Sequence, residues 1–268
     1  MLSTFLKFAT FSCLASAVFA ADFTPAEIEY QTLKTRTCPA DMVTVKGMAL
    51  PSSSDIVEIL QDATCDDWIS TVFPARCARF NQDKWNKARS SLKRHAMDFC
   101  MDTYEWPNMA DVEPRVFIDW YSAKRICENA GKRLCNEEEW TFACEGEEGL
   151  PYPYGYERDP AACNIDHKWI APDYDVLMNS SKTADELKRL WQGVPSGSME
   201  RCVSPFGVHD MTGNVDEWTI STRTKGYRSI LKGGYWSVVR NRCRPSTRIH
   251  FEGYSNYQQG FRCCSSIK

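Results

Sequence analysis

The sequence has no excess of basic residues, few histidines and, after its first twenty residues, no apolar run of membrane-spanning length. Its 32 Lys and Arg residues face 35 Asp and Glu residues, so the formal net charge of the 268-residue chain is -3. A nucleic-acid partner, which would need clustered positive charge, is therefore not expected, and neither is stable membrane insertion. The 4 histidines are scattered without the spacing of a metal site. Gly-rich phosphate loops and Gly-x-Ser-x-Gly nucleophile motifs are also missing from the sequence.

The first twenty residues are typical of a secretory signal. Lys7 supplies a positive charge, residues 8–19 carry none, and Val18 and Ala20 place small residues before a cleavage site. Cleavage after Ala20 would leave a polar lead-in over residues 21–38. We therefore expect a secreted protein, periplasmic or extracellular according to the source.

Cysteine is the residue type in which the chain is rich. Of its 13 cysteines, Cys13 lies in the signal, and the remaining even set favours disulfides over free thiols in an oxidising compartment. The set comprises Cys38, Cys65, Cys77, Cys100, Cys127, Cys135, Cys144, Cys163, Cys202, Cys243, Cys263 and Cys264. Zinc is the rival interpretation, but the set contains no Cys-x2-4-Cys pair.

Local patterns indicate an α+β fold with much loop. Helices are expected over 117–130, 136–144 and 181–191, and strands over 42–45 and 98–105. Asp119 is the expected N-cap of the first helix, while Asn136 and Glu139 form a capping box at the start of the second. Residues 48–94 are expected to be irregular.

Six motifs carry a resemblance to a known family. They occupy residues 98–105, 114–140, 152–155, 207–218, 231–236 and 260–264. In this order and spacing the chain resembles the formylglycine-generating enzyme, or sulfatase-modifying factor, family over residues 39–264, with 48–94 as an insertion. The resemblance implies the C-type-lectin-like fold of that family, with short twisted sheets, two main helices and much disulfide-stapled loop.

The resemblance implies calcium as a structural cofactor. At the first site, the family pattern assigns side-chain oxygens to Asp210 and Glu217 and backbone carbonyls to Gly213 and Val215. At the second site it assigns Asn164 and Ile165. Calcium takes roughly six to eight oxygen ligands, which suits these residue types. The alternative is that residues 210–217 form a hydrogen-bonded turn before a strand.

The redox site implied by the family is incomplete in this chain. Family oxidases hold Cu(I) between two cysteines and convert a substrate cysteine to formylglycine. The first of these positions is Val238 here, and only the second, Cys243, is a cysteine. Because Cu(I) needs both sulfurs, we expect neither copper nor the family's oxidation. Asp216 also replaces the usual Trp, and Tyr235 the usual Ser.

The resemblance also implies a disulfide between Cys127 and Cys263. The family's second bridge uses the position of Cys144, whose usual partner is Arg248 here, so Cys144 must pair with another cysteine, either Cys243 or Cys135. Two further pairs, Cys163 with Cys202 and Cys65 with Cys77, are inferred from proximity.

The C-terminal segment holds the candidate binding face. Its residues are Arg240, Arg242, Arg244, Arg248, Tyr254 and Tyr257. Arg and Tyr are enriched at binding hot spots, and the family places this segment at its pocket. The alternative is internal, with the arginines satisfying carbonyls and carboxylates of the chain itself.

The sequence thus predicts a binding or accessory protein that takes an unknown protein or small-molecule ligand at the C-terminal pocket. The enzyme alternative is a thiol-dependent oxidoreductase acting on a protein cysteine through Cys243. A structural envelope protein is the third possibility, and would show neither a pocket ligand nor a reactive thiol.

Overall fold

The computed structural model describes residues 37–51, 55–177 and 181–267. The predicted signal peptide and nearly all of the lead-in lie outside these residues. In chain order the elements are β1 (Met42–Ala49), α1 (Asp55–Asp62), β2 (Cys65–Ser70), β3 (Arg76–Phe80), α2 (Gln82–Arg89), β4 (His95–Asp102), α3 (Trp120–Asn129), β5 (Arg133–Leu134), α4 (Glu137–Glu145), α5 (Tyr174–Leu177), α6 (Thr183–Leu190), β6 (Asp216–Ile220), β7 (Ser229–Lys232), β8 (Ser246–Thr247), β9 (Gln259–Phe261) and β10 (Cys263–Ser265).

Three small sheets organise the fold. The first has the strand order β1-β4-β10-β5, and β1 pairs antiparallel with β4 along its whole length, from Met42 opposite Asp102 to Ala49 opposite His95. The second is the β2–β3 hairpin. The third has the order β8-β7-β6-β9, in which β6 is antiparallel to β7 and parallel to β9. This mixture of short sheets and helices is the predicted α+β fold.

The two main helices begin where local sequence chemistry places them. Asp119 caps α3 by accepting a hydrogen bond from the Ser122 N–H, and Asn136 and Glu139 form the expected capping box of α4. Such caps satisfy N–H groups that have no partner within the helix, so they fix a helix start from nearby residues alone. The third predicted helix is α6, and the predicted strands are extended or shifted into β1 and β4.

The expectation of an irregular insertion over 48–94 was wrong. Residues 55–89 form α1, the β2–β3 hairpin and α2. The Trp85 side chain of α2 is fully buried and donates from Nε1 to the Gly149 carbonyl at 2.9 Å, while Gln61 of α1 donates to the same oxygen at 3.1 Å. These tertiary contacts hold two helices of only eight residues each.

Six disulfides join the twelve cysteines of the described residues. They link Cys38 to Cys100, Cys65 to Cys77, Cys127 to Cys263, Cys135 to Cys264, Cys144 to Cys243, and Cys163 to Cys202. The three bridges with the largest sequence separations, 136, 129 and 99 residues, begin on or beside α3 and α4 and end in the C-terminal segment. Each such cross-link restricts the unfolded chain and stabilises by roughly 2–4 kcal/mol. No helix within the described part of the chain is long and apolar enough to cross a bilayer.

Candidate binding cavity

A cavity of about 230 Å³ opens where β7 ends and the chain turns at Gly233 and Gly234. Its walls include Leu231 of β7 and Asp216, the first residue of β6. Residues 238–242 lie on the C-terminal side, and Phe73 and Pro74 reach the cavity from the β2–β3 hairpin of the insertion. The insertion therefore takes part in the cavity that the resemblance placed in the C-terminal segment.

The wall of this cavity carries no free thiol. Cys243 is fully buried and bonded to Cys144 of α4, and the residue five positions earlier on the wall is Val238. Of the two partners considered for Cys144, the structure has Cys243, because Cys135 is bonded to Cys264. A disulfide sulfur is neither a nucleophile nor a thiolate ligand. The structure therefore argues against the enzyme alternative, which needs a reactive thiol at Cys243.

The arginines of the predicted binding face are turned toward acidic residues of the chain itself. Arg240 lines the cavity, but its guanidinium is held by Glu58 of α1 at 3.0 Å and by the Ser246 carbonyl at 2.9 Å. Arg242, with 3% of its side chain exposed, binds Asp62 of α1 at 2.6 Å.

The next two arginines are also paired. Arg244, whose side chain is 3% exposed, meets Glu145 of α4 at 2.6 Å. Arg248 lies 3.2 Å from Glu137 of α4 and 3.5 Å from Asp55 of α1. Arg244 is consequently an interior group, and its assignment to the binding face was wrong, whereas Arg242 is nearly buried but still lines the cavity. Burial of a guanidinium is tolerable only with such partners, because an unpaired buried charge is costly.

The two tyrosines of the predicted face lie away from the cavity. Tyr257 is buried and borders a separate apolar hollow of about 250 Å³, which Phe117 and Trp191 also line. Tyr254 is half-buried and stacks on His250 with ring centroids 4.1 Å apart. The six residues thus do not form one surface.

Asp216 is the acidic group of the cavity. Only 8% of the residue is exposed, and one carboxylate oxygen accepts a hydrogen bond from the Gly234 N–H at 3.1 Å. Burial raises the pKa of Asp216 to about 7, although the Gly234 N–H favours the charged form. Sequence reasoning noted this residue only as a departure from the family's Trp and missed its place in the wall.

The two carboxylates predicted to bind calcium lie in one buried cluster with Glu105. Glu217 accepts hydrogen bonds from Arg262 at 2.7 and 2.8 Å and from the Trp140 indole at 2.9 Å. Asp210 accepts from the Gly197 N–H at 2.7 Å through one oxygen, while its other oxygen is buried without a hydrogen-bond partner. Burial raises the pKa of Asp210 to about 6 and that of Glu105 well above its usual range.

Of the two predicted side-chain ligands, Asp210 has an oxygen without a hydrogen-bond partner, whereas both oxygens of Glu217 are bound by Arg262, so Glu217 is not available to an ion as predicted. Of the basic side chains described, Arg262 pairs with the cluster, so two of its three buried carboxylates lack a positively charged partner. The described residues contain no group of three or more His, Cys, Asp or Glu side chains arranged as metal ligands. Backbone oxygens such as those predicted at Gly213 and Val215 would have to complete the coordination of an ion at Asp210.

The second predicted calcium site, at Asn164 and Ile165, lies against the first predicted loop and stays a prediction. The Asn164 side chain donates to the Asn214 side chain at 3.1 Å and to the Gln192 carbonyl at 3.0 Å, and the Asn164 carbonyl accepts from the Asn214 N–H at 3.0 Å. Ile165 is buried in an apolar cluster. A Cβ at Gly213, where φ is +83°, would overlap the Asn164 carbonyl. The two predicted calcium loops therefore contact each other directly, through hydrogen bonds.

The family to which the chain is similar agrees with its motifs and its fold. The model of the sulfatase-modifying factor enzyme 1-like domain matches residues 40–267. This chain belongs to that family. Because Val238 and the Cys144–Cys243 bridge stand where the family's oxidases keep two cysteines, it is a divergent member that lacks one cysteine of the pair.

Several curated relatives resemble about half of the chain. The inactive Cα-formylglycine-generating enzyme 2 of Bos taurus is 29% identical over 161 residues, which are 57% of this chain and 50% of that protein. The formylglycine-generating enzyme of Mus musculus is 25% identical over 174 residues, which are 57% of this chain and 44% of that protein. The chain therefore spans half, or less, of the length of these relatives.

Among solved structures, the crystal structure of CarF superposes with a TM-score of 0.53 and 14% identity. The superposition covers 86% of this chain and 99% of CarF. At this identity the likeness concerns the fold alone.

Proposed function

We propose that the chain is a non-catalytic binding protein of the sulfatase-modifying factor family, whose ligand enters the cavity beside Gly233 and Gly234. One observation carries the proposal. Cys243, the one cysteine at the family's redox positions, is bonded to Cys144, and the other redox position is Val238. The word "inactive" in the printed name of the Bos taurus relative is consistent with this proposal.

The chemistry of the site supports binding over oxidation. A linear Cu(I) site needs two soft thiolate ligands, and an isopropyl side chain at Val238 supplies none. A cavity of about 230 Å³ nevertheless remains at that place, with a buried carboxylate and apolar side chains in its wall. The chain has thus lost the pair of cysteines but kept the cavity, as a protein that binds a ligand without oxidising it would.

The proposed compartment is oxidising, either the periplasm or the extracellular space, after cleavage of the signal near Ala20. All twelve cysteines of the described residues are paired, and such disulfide density is rare in a reducing cytosol. As part of the same proposal, Asp210 would hold a structural calcium ion together with the carbonyls of Gly213 and Val215, but without Glu217, whose oxygens are bound by Arg262 and Trp140. The ion would neutralise the buried carboxylates and fix the loop that leads into β6.

A comparison of the wild-type chain with a Val238→Cys/Cys144→Ser variant tests the proposed function. The variant places a second cysteine at the family position and releases Cys243 from its bridge. Both proteins are titrated with Cu(I) and incubated with a cysteine-containing peptide under oxygen, and formylglycine is sought by mass spectrometry. Wild type is expected to show neither stoichiometric Cu(I) binding nor conversion, whereas the variant should bind Cu(I). Conversion by the wild-type protein would overturn the proposal.

A further inference from the structure

We propose that the cavity recognises a primary ammonium group through Asp216, on a small amine or on a lysine side chain. This inference rests on the proposed function, because it names the ligand class of the same cavity. Two features of the cavity support it, the buried Asp216 carboxylate and the apolar surfaces around it.

Asp216 is a buried carboxylate with unused hydrogen-bonding capacity. It is more than nine-tenths buried, lines the cavity, and receives one hydrogen bond, from the Gly234 N–H at 3.1 Å. No side chain in the described ranges donates to it. An ionised carboxylate can accept about four hydrogen bonds, so the second oxygen is available to a donor in the cavity.

The neighbouring charged groups are already satisfied. Arg240 is bonded to Glu58 at 3.0 Å, and Arg242 to Asp62 at 2.6 Å. Lys232, which lies fully buried behind the wall, donates to the Arg244 carbonyl at 2.7 Å. Both arginines of the cavity wall are therefore already paired with carboxylates, and an anionic ligand would be repelled by the Asp216 carboxylate. A cationic ligand, by contrast, would pair with the Asp216 carboxylate, to which no basic side chain of the described residues is bound.

The remaining walls suit an apolar body attached to that donor. Leu231, Val238, Val239 and Pro245 contribute aliphatic surface, and Phe73 and Pro74 cover one side from the insertion. An ammonium group carries three donors on a compact centre, and its alkyl or benzyl substituent can bury against such surfaces. A volume of about 230 Å³ has room for such a small amine or for the end of a lysine side chain.

The test uses amines of defined structure as probes. Benzylamine, n-butylamine and Nα-acetyl-lysine methylamide are titrated into the mature, disulfide-intact protein and followed by two-dimensional NMR, with benzyl alcohol and butyrate as uncharged and anionic counterparts. Ligands of this size are expected to bind with dissociation constants on the order of 1 mM. Tighter binding of the free amines than of the lysine derivative indicates a small-molecule ligand, and the reverse order indicates a lysine side chain.

The deciding variant is Asp216→Asn, which keeps the shape and an acceptor for the Gly234 N–H but removes the charge. Asp111→Asn, at an exposed aspartate that does not line the cavity, is the matched control for net charge. We expect at least a tenfold loss of amine affinity in Asp216→Asn and none in Asp111→Asn. Val238→Trp, which fills the cavity, should abolish binding and keeps the test decisive if Asp216→Asn does not fold.

Equal binding of benzylamine and benzyl alcohol, or undiminished amine binding in Asp216→Asn, would overturn the inference. So would the absence of amine binding to the wild-type protein. Such a failure is distinguishable from failure of the proposed function, which is judged separately by whether wild type converts the cysteine peptide.

Discussion

Replacement of Arg244 by alanine separates an interior role from a binding role. The sequence leaves two interpretations of Arg244 open, and if it belonged to a binding face, its removal would weaken ligand binding and spare the fold. In the structure its guanidinium meets Glu145 at 2.6 Å, with side-chain exposures of 3% and 1%, and also donates to the Pro51 carbonyl at 3.0 Å. We therefore expect Arg244→Ala to destabilise the protein.

The magnitude follows from the charge that the substitution leaves behind. Removal of one partner of a buried ion pair typically costs about 3–5 kcal/mol, because the other charge stays buried without compensation. The second Glu145 oxygen already lacks a hydrogen-bond partner, so little else could take over from Arg244. A double variant, Arg244→Met/Glu145→Leu, removes both charges and should recover most of the lost free energy of unfolding.

The pH dependence has a definite sign. Burial raises the pKa of Glu145 above its usual value even with Arg244 present, and loss of Arg244 raises it further. A group whose folded pKa exceeds its unfolded pKa favours folding below the unfolded pKa, and this contribution is lost as the pH rises through the folded pKa. The deficit of Arg244→Ala relative to wild type should therefore shrink as the pH is lowered toward the unfolded pKa of Glu.

Urea denaturation of the oxidised proteins, followed by tryptophan fluorescence at several pH values, measures both quantities. Glu252→Gln serves as a control, because its partner Arg228 is largely exposed and the pair should contribute little. An Arg244→Ala protein within about 1 kcal/mol of wild type, in a range typical of surface substitutions, would refute this reasoning.

Three further outcomes are expected. Cys144→Ala/Cys243→Ala should lower the free energy of unfolding by roughly 2–4 kcal/mol in urea melts, because it opens a cross-link between positions 99 residues apart; an unchanged melt would contradict the bridge. Chelator-treated protein should show heat in calorimetry and a higher melting temperature on calcium addition, and Asp210→Ala should abolish both; absence of either effect in wild type would sink the calcium proposal. Glu58→Gln should cost about 1–3 kcal/mol by the same melts, because it removes the charge of a mostly buried carboxylate that binds Arg240 and lies 3.9 Å from the buried Arg242; the absence of a measurable cost would contradict these contacts.

Features set by neighbouring residues could be predicted from the sequence. The Asp119 cap and the Asn136–Glu139 capping box need side chains only three residues from the groups they bind, so the starts of α3 and α4 were found to within a few residues. The family motifs likewise indicated the fold. The strand β4 was misplaced by three residues at each end, because its bounds depend on pairing with β1.

Features set by long-range contacts could not be predicted. Helix α1 is only eight residues long, and its acidic residues pair with arginines at least 168 positions later. For the same reason, the sequence could not show that α1 and α4 supply the acidic partners of the arginines of residues 240–248. The choice between Cys135 and Cys243 as partner of Cys144 also stayed open, because cysteine spacing does not define connectivity.

The proposed non-catalytic role requires that Cys243 is disulfide-bonded. The natively exported protein is alkylated under denaturing, non-reducing conditions, digested and mapped by mass spectrometry. We expect no alkylated cysteine after residue 37 and a disulfide-linked pair of peptides that contain Cys144 and Cys243. An alkylated Cys243, with a thiol of low pKa, would contradict the central claim and restore a thiol-dependent enzyme as the function of this site.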